Sequence, residues 1–261
     1  MLRIVTDFDG PIVDVSQRYY RVYQLCLEKT CNPEQQIKEL SFSEFWTLKR
    51  SHIPEKKIGI LSGLSDTQAE EFAQLRKQMV HTHPYFQRDT IQPGAIDALL
   101  KVQQAGCDLV VMTMRRISEL NYALVKDDLG RFFPEHRRYC LSDDYMKTQD
   151  VRDKPLLMKR ALAELPPATD TWMIGDTEAD IAAAKKYGIK VIAVDSGIRD
   201  RTQLELYQPN YYLPSLADAI DFILQTSASS LKNNWLLKQY PQLSNQEVSS
   251  TSSQTLISTK K

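Results

Sequence analysis

Apolar positions in this chain follow two patterns that alternate along most of its length. Runs such as "LRIVT" (2–6), "CDLVVMT" (107–113), "TWMIGD" (171–176) and "IKVIAVD" (189–195) are apolar and largely β-branched, with little polar alternation. Strands buried on both faces have this character. "RRYCLS" (137–142) is a weaker run of the same kind, and "NYYLPSLADAIDFIL" predicts a short strand and then a helix. Between the runs lie stretches with helical spacing: "QPGAIDALLKVQQAG", one near 117–128, "PLLMKRALAEL" (155–165), and "EADIAAAKKYG" (178–188), which glycine closes. Strands alternating with helices predict an α/β fold, a parallel sheet covered by helices on both faces.

The stretch from residue 15 to residue 88 breaks that rhythm. "SQRYYRVYQLCLEK" places Tyr19, Val22, Tyr23, Cys26 and Leu27 at helical spacing, and Ala69, Phe72, Leu75 and Met79 repeat the pattern. "FSEFWTLKR" (42–50) puts Phe42, Phe45 and Trp46 on one helix beside Lys49 and Arg50. The predicted organisation is a core of 1–14 and 89–226, an inserted α-helical domain over 15–88, and a Ser/Thr-rich, largely disordered tail over 227–261. Within that tail "WLLKQYP" (235–241) is read as a short helix docking on the core or, as the alternative, on a partner.

Composition narrows the partners. The 261 residues carry 33 Lys plus Arg against 33 Asp plus Glu, so nothing favours nucleic acid or a membrane surface, and an anionic ligand needs a local set of donors. The four cysteines lack CxxC pairing, which excludes a zinc knuckle and predicts reduced thiols. No apolar run approaches the roughly 20 residues of a membrane helix, and the first residues do not read as a secretory signal, so a cytoplasmic protein is expected.

Four polar features fall at or near the predicted carboxyl ends of strands, where a parallel sheet places its chemistry. Asp7 and Asp9 follow the first strand, Thr113 ends the second long run, Asp176 and Asp180 follow "TWMI", and Lys154 precedes a helix in "RDKP". Together they suit phosphoryl transfer. A carboxylate attacks phosphorus, a second acid protonates the leaving oxygen, and Lys154 and Thr113 hold the phosphoryl oxygens. Hard oxygen ligands such as Asp7 and Asp176 select Mg²⁺, with Asp180 supporting the site.

The set "DFDGP", "VVMTM", "DKP" and "GDTEAD" resembles the four motifs of the haloacid dehalogenase-like (HAD-like) hydrolases, over residues 1 to about 225. The insert resembles the small helical cap of phosphoglycolate phosphatases and β-phosphoglucomutases. The resemblance implies a Rossmann-like core, Asp7 as nucleophile, and Asp9 as general acid/base whose main-chain carbonyl also meets Mg²⁺. It further implies Thr113 and Lys154 as phosphate-binding residues, Asp176 as a metal ligand, and Asp180 as support of the metal site. The expected activity is a Mg²⁺-dependent phosphatase acting on a small phosphorylated metabolite, with Arg115, Arg116 and Lys49 as candidate substrate contacts. The second acid, Asp9, disfavours dehalogenation. A phosphomutase or phosphonatase on the same motifs, and a non-catalytic binding protein on the same fold, are the alternatives. His81 and His83, without a third ligand nearby, are read as surface or hinge residues rather than a zinc site. Pro11 departs from the Thr or Val that the family more often carries there.

Overall fold

The structure is a computed structural model that describes residues 1–239, with side chains to residue 228. Strand β1 (Leu2–Thr6) leads through the two-residue β2 (Val13–Asp14) into four helices: α1 (Ser16–Thr30), α2 (Phe42–Arg50), α3 (Glu55–Leu61) and α4 (Asp66–Met79). The chain returns through β3 (Thr90–Ile91), which pairs antiparallel with β2. It continues as α5 (Ala95–Gln104), β4 (Asp108–Arg116), α6 (Ile117–Lys126), β5 (Arg138–Leu141), α7 (Asp150–Glu164) and β6 (Asp170–Gly175). It ends in α8 (Glu178–Lys186), β7 (Lys190–Val194), α9 (Arg201–Glu205), β8 (Tyr211–Leu213) and α10 (Leu216–Gln239). Residues 1–221 form one compact unit, and those from 222 onward belong to a second, in which α10 is described to Gln239.

Six strands form one sheet in the order β5-β4-β1-β6-β7-β8, every neighbour parallel. Alternate side chains explain the unbroken apolar runs. Val5, Val110, Met112, Met173, Val191 and Ala193 pack with Leu157 and Met158 of α7 and Ile181 of α8. Their neighbours Ile4, Val111, Ile174, Ile192 and Val194, which point to the opposite face, are fully buried as well. Both faces are therefore covered. From β1 the chain adds strands first on one side and later on the other, which leaves a crevice beyond the carboxyl ends of β4, β1 and β6.

The four helices after β2 enclose an apolar cluster of their own, with Val22, Tyr23, Leu27, Phe45, Ile58 and Phe72 at its centre. Tyr23 and Phe45 stack with ring centroids 4.8 Å apart. Helices α2 and α4 begin with reciprocal capping boxes, Ser41 with Glu44 and Ser65 with Gln68, which satisfy backbone N–H groups that the first turn leaves unpaired.

The elements differ from the sequence reading in four places. Strand β4 runs on to Arg116, with its register against β5 shifted between Met112 and Arg116, so Thr113 lies inside the strand rather than at its end. Helix α7 starts at Asp150, so Lys154 stands within it rather than before it. Pro155 forfeits only one helical hydrogen bond, while Asp150 and Asp153 favour the positive N-terminal end of the helix. Helix α3 and the β2–β3 pair are too short to leave a periodicity. Helix α10 runs through part of the stretch read as tail, and residues 240–261, with the end of "WLLKQYP", lie outside the described residues. The four cysteines are free.

Candidate active site

Asp7 is the first residue beyond β1, and its N–H donates to the carbonyl of Ile174 in β6 (2.8 Å). One carboxylate oxygen accepts from the N–H of Phe8 (2.6 Å), and the other lies 2.6 Å from Lys154 Nζ. Lys154 is fully buried, and its ammonium also stands 2.5 Å from Asp180. The other Asp180 oxygen accepts from the backbone N–H of Thr177 (3.0 Å) and from its hydroxyl (2.7 Å), closing a capping box at the start of α8. Asp176 follows β6, and one of its oxygens accepts from the N–H of Ile198 (2.7 Å). Its remaining oxygen, Oδ1, is buried without a hydrogen-bond partner among the described residues. Asp7, Asp176 and Asp180 each present an oxygen within 4.8 Å of the others.

Three buried carboxylates thus gather beside one ammonium that contacts Asp7 and Asp180, and the electrostatics reflect the shortage of positive charge. Burial pushes Asp7 up to about 7 despite Lys154, with the Asp180 charge adding to the rise. Burial and repulsion from Asp7 and Asp180 raise Asp176 well above the ordinary carboxylate range. Burial alone would drive the Lys154 proton off, but Asp180 and Asp7 reverse that and hold the ammonium charged. Gly10 makes the crowding feasible. It has φ +88°, and a Cβ there would fall 2.3 Å from the Asp176 carboxylate.

Asp9 points into a different environment. Arg115 Nε–H donates to one of its oxygens (2.8 Å) and Arg18, from α1, to the other (3.1 Å). The same two guanidiniums grip Asp89, Arg115 at 2.6 Å and Arg18 at 3.1 Å. Burial would raise Asp9, but Arg115 and Arg18 outweigh it and hold the carboxyl down at about 2. Asp89, deeply buried and repelled by Asp9, rises to about 6 in spite of the arginines. A helix of the insert, the end of the return segment and β4 therefore meet at Asp9.

Two cavities open here. The inner one is lined by Asp7, Asp9, Thr113, Lys154 and Asp176, and also by Arg115, Lys49 and His81. Arg115 is thus in place to line the site, with its guanidinium engaged by the two aspartates. Arg116 stands apart from this inner cavity. It lines the larger one, its guanidinium donating to the carbonyls of Ser142 (3.2 Å), Asp143 and Tyr145 (3.1 Å). Lys49 lines both and pairs with Glu55. Arg50 turns away and ties α2 to the loop after β7, donating to the carbonyl (2.8 Å) and carboxylate of Asp195. Ser51 adds a bond to Asp200 (2.8 Å).

Sequence reasoning passed over Arg18 and Asp89, and it left His81 outside the site. Arg18 offered one signal: it lies four residues before Val22, on the apolar stripe of α1, and a cation there must have a buried partner. Asp89 offered none. His81 lines both cavities, and burial with the charges of Arg18 and Lys147 lowers it to about 3, so it is neutral.

The HAD-hydrolase-like family model matches residues 152–219, the stretch that carries Lys154, Asp176 and Asp180. The fold agrees: a haloacid dehalogenase-like family hydrolase from Streptococcus pneumoniae superposes with a TM-score of 0.62 at 21% identity, over 85% of this chain and 97% of that one. The match to the family model is confined to that stretch, and the fold is shared over most of the chain. Among curated relatives, the chain is 22% identical over 162 residues to the pyrophosphatase PpaX of Bacillus mycoides, covering 62% of this chain and 73% of that protein. It is 25% identical over 173 residues to the phosphoglycolate phosphatase of Pseudomonas syringae, covering 65% of this chain and 60% of that protein. Among its described residues, no helix is long and apolar enough to cross a membrane.

Proposed function

We propose that this chain is a Mg²⁺-dependent phosphatase that hydrolyses a small phosphorylated metabolite through an aspartyl-phosphate on Asp7. The observation that carries the reading is the buried trio Asp7, Asp176 and Asp180 with Lys154 as its one ammonium. Such a set is short of positive charge and leaves Asp176 Oδ1 unpartnered, which fits a hard divalent cation. Asp7, Asp176 and the main-chain carbonyl of Asp9 would hold the Mg²⁺, with Asp180 as support. When bound, the ion neutralises charge between the nucleophile and an anionic substrate.

In the first step an Asp7 oxygen attacks phosphorus, and the bond to the leaving oxygen breaks with its electron pair on that oxygen. Asp9, once protonated, gives that oxygen its proton. In the second step Asp9 takes a proton from water, the water oxygen attacks phosphorus, and the Asp7–phosphorus bond breaks to release phosphate. The Thr113 hydroxyl and Lys154 hold the phosphoryl oxygens in both steps. Gripped by Arg115 and Arg18, Asp9 is ionised, the form that accepts a proton, but the two cations keep its basicity low until it leaves them. Its acid role requires it to leave the two guanidiniums. The insert over 15–88 acts as a cap whose α1 reaches the site through Arg18.

The relatives' names, a pyrophosphatase and a phosphoglycolate phosphatase, agree with the reaction class without settling the substrate. The test is phosphate release from acetyl phosphate and p-nitrophenyl phosphate with Mg²⁺. Wild type turns over and Asp7→Asn does not; equal inertness of both across metals and pH values refutes the reading.

A further inference from the structure

The two cavities differ in size and share a wall. The inner one, at the acid cluster, encloses about 180 Å³. That is below the roughly 300–1,000 Å³ of sites that enclose a whole small molecule. The outer one encloses about 800 Å³, and Tyr19, Lys49, His81, Met114, Lys147 and Asp150 border both. The outer space is not the gap left by an insert swung away. The insert is seated on the core at both sides of the site, through Arg18 to Asp9 and Asp89 and through Arg50 to Asp195.

The walls of the outer cavity carry an excess of positive charge, six Lys or Arg side chains against three Asp or Glu. Part of that excess is built in. Glu55 of α3 receives both Lys49 of α2 and Arg76 of α4, so one carboxylate answers two cations. Arg76 is only 2% exposed, and its Nε has no hydrogen-bond partner among the described residues. Lys49 lies over the ring of Tyr19, 5.3 Å from its centroid, at the border between the two spaces. A partly buried, under-compensated cation pair of this kind favours an anion that brings its own charge.

We propose that the transferred phosphoryl group occupies the inner cavity while the rest of the substrate, a sugar- or nucleoside-sized group bearing a second anionic group, fills the outer one against Lys49 and Arg76. This rests on the phosphatase reading and goes beyond it in naming the substrate class. His81 and Tyr19 flank the passage, the neutral imidazole edge-on to the phenol ring with centroids 6.4 Å apart, and both offer hydrogen bonds to an uncharged linker such as a sugar hydroxyl.

The experiment compares kcat/KM with Mg²⁺ for phosphoglycolate, hexose monophosphates and a hexose bisphosphate, all alkyl monoesters, with acetyl phosphate as the control for activity as such. The bisphosphate is expected to exceed the monophosphates by roughly tenfold or more, the worth of one charge-assisted hydrogen bond. Phosphoglycolate is expected to be the poorest ester. Lys49→Gln, checked for an unchanged fold by its melting temperature, should raise KM for the bisphosphate and bring the bisphosphate-to-monophosphate ratio to about one. Lys49→Arg should retain the preference. Turnover of acetyl phosphate with phosphoglycolate as the best ester overturns this inference alone. A preference that survives Lys49→Gln overturns the Lys49 contact. Inertness toward every substrate overturns the inference together with the phosphatase reading.

Discussion

Without metal, Asp7 should make the protein less stable as pH rises. Its carboxyl is raised by burial from 3.8 to about 7 in the folded chain, so the folded state holds a proton that the unfolded chain has released. A group raised in this way contributes stability that is fully present below about pH 4 and lost as pH climbs through about 7. Between about pH 5 and pH 8 the loss spans roughly two pH units at ~1.4 kcal/mol each, or about 3 kcal/mol. At ~2–4 °C per kcal/mol for a domain of this size, the melting temperature should fall by roughly 6–12 °C. Asp176, raised by the same burial, acts in the same direction. Asp7→Asn removes the titration while Lys154 keeps Asp180 as partner. In EDTA the variant should therefore melt near wild type at about pH 5 and about 10 °C above it at pH 8. Mg²⁺ should close that gap at pH 8, since only wild type retains the full set of carboxylates, and at 100 times Kd an ion adds ~2.7 kcal/mol, close to the amount lost. Differential scanning fluorimetry over pH, with EDTA or Mg²⁺, reads all of this. A melting-temperature difference that does not change with pH, or a wild type indifferent to Mg²⁺, refutes the reasoning.

Other consequences are local. Asp89→Ala leaves Arg18 and Arg115 buried with one partner fewer, and should cost about 3–5 kcal/mol, read by urea unfolding; a loss under about 1 kcal/mol would show that the clamp is not structural. Arg50→Ala unties α2 from the loop of residues 195–200, whose Ile198 N–H holds Asp176. Its partly exposed ion pair is worth at most about 1 kcal/mol of stability. The Mg²⁺ concentration for half-maximal activity should nevertheless rise several-fold, and metal titration by calorimetry should show the same weakening. An unchanged metal affinity would separate the latch from the site.

What could be read in the sequence, and what could not, follows from range. Strands β1, β4, β6 and β7 are buried on both faces, so each is an apolar run that can be recognised locally, and the polar residues that follow or interrupt those runs were legible with them. Asp7, Asp176 and Asp180 were singled out in this way, and the structure brings them within reach of one another, with Lys154 against Asp7 and Asp180. The boundaries were harder. Pro155 read as a helix start, yet α7 begins five residues earlier, its first turn anchored by Asp153, which accepts from the N–H and the hydroxyl of Thr148. The Arg18–Asp9–Arg115–Asp89 network was invisible because its members come from the insert, the return segment and β4, and burial of a charge pair leaves no local pattern. For the same reason "FSEFWTLKR" could not say that Lys49 turns to the cavity while Arg50 turns to Asp195. One residue of rotation about a helix decides it, and only the packing of α2 on its neighbours fixes that rotation.

The central claim is that Asp7 carries the phosphoryl group. The most direct measurement incubates Asp9→Asn with acetyl phosphate and Mg²⁺, quenches in acid, and locates modification by peptide mass spectrometry. Without the base of the second step, the phosphoryl adduct should accumulate on the peptide holding Asp7 and be absent when Asp7 is also replaced by Asn. Phosphate released at the wild-type rate with no adduct, or an adduct on another residue, would contradict the account.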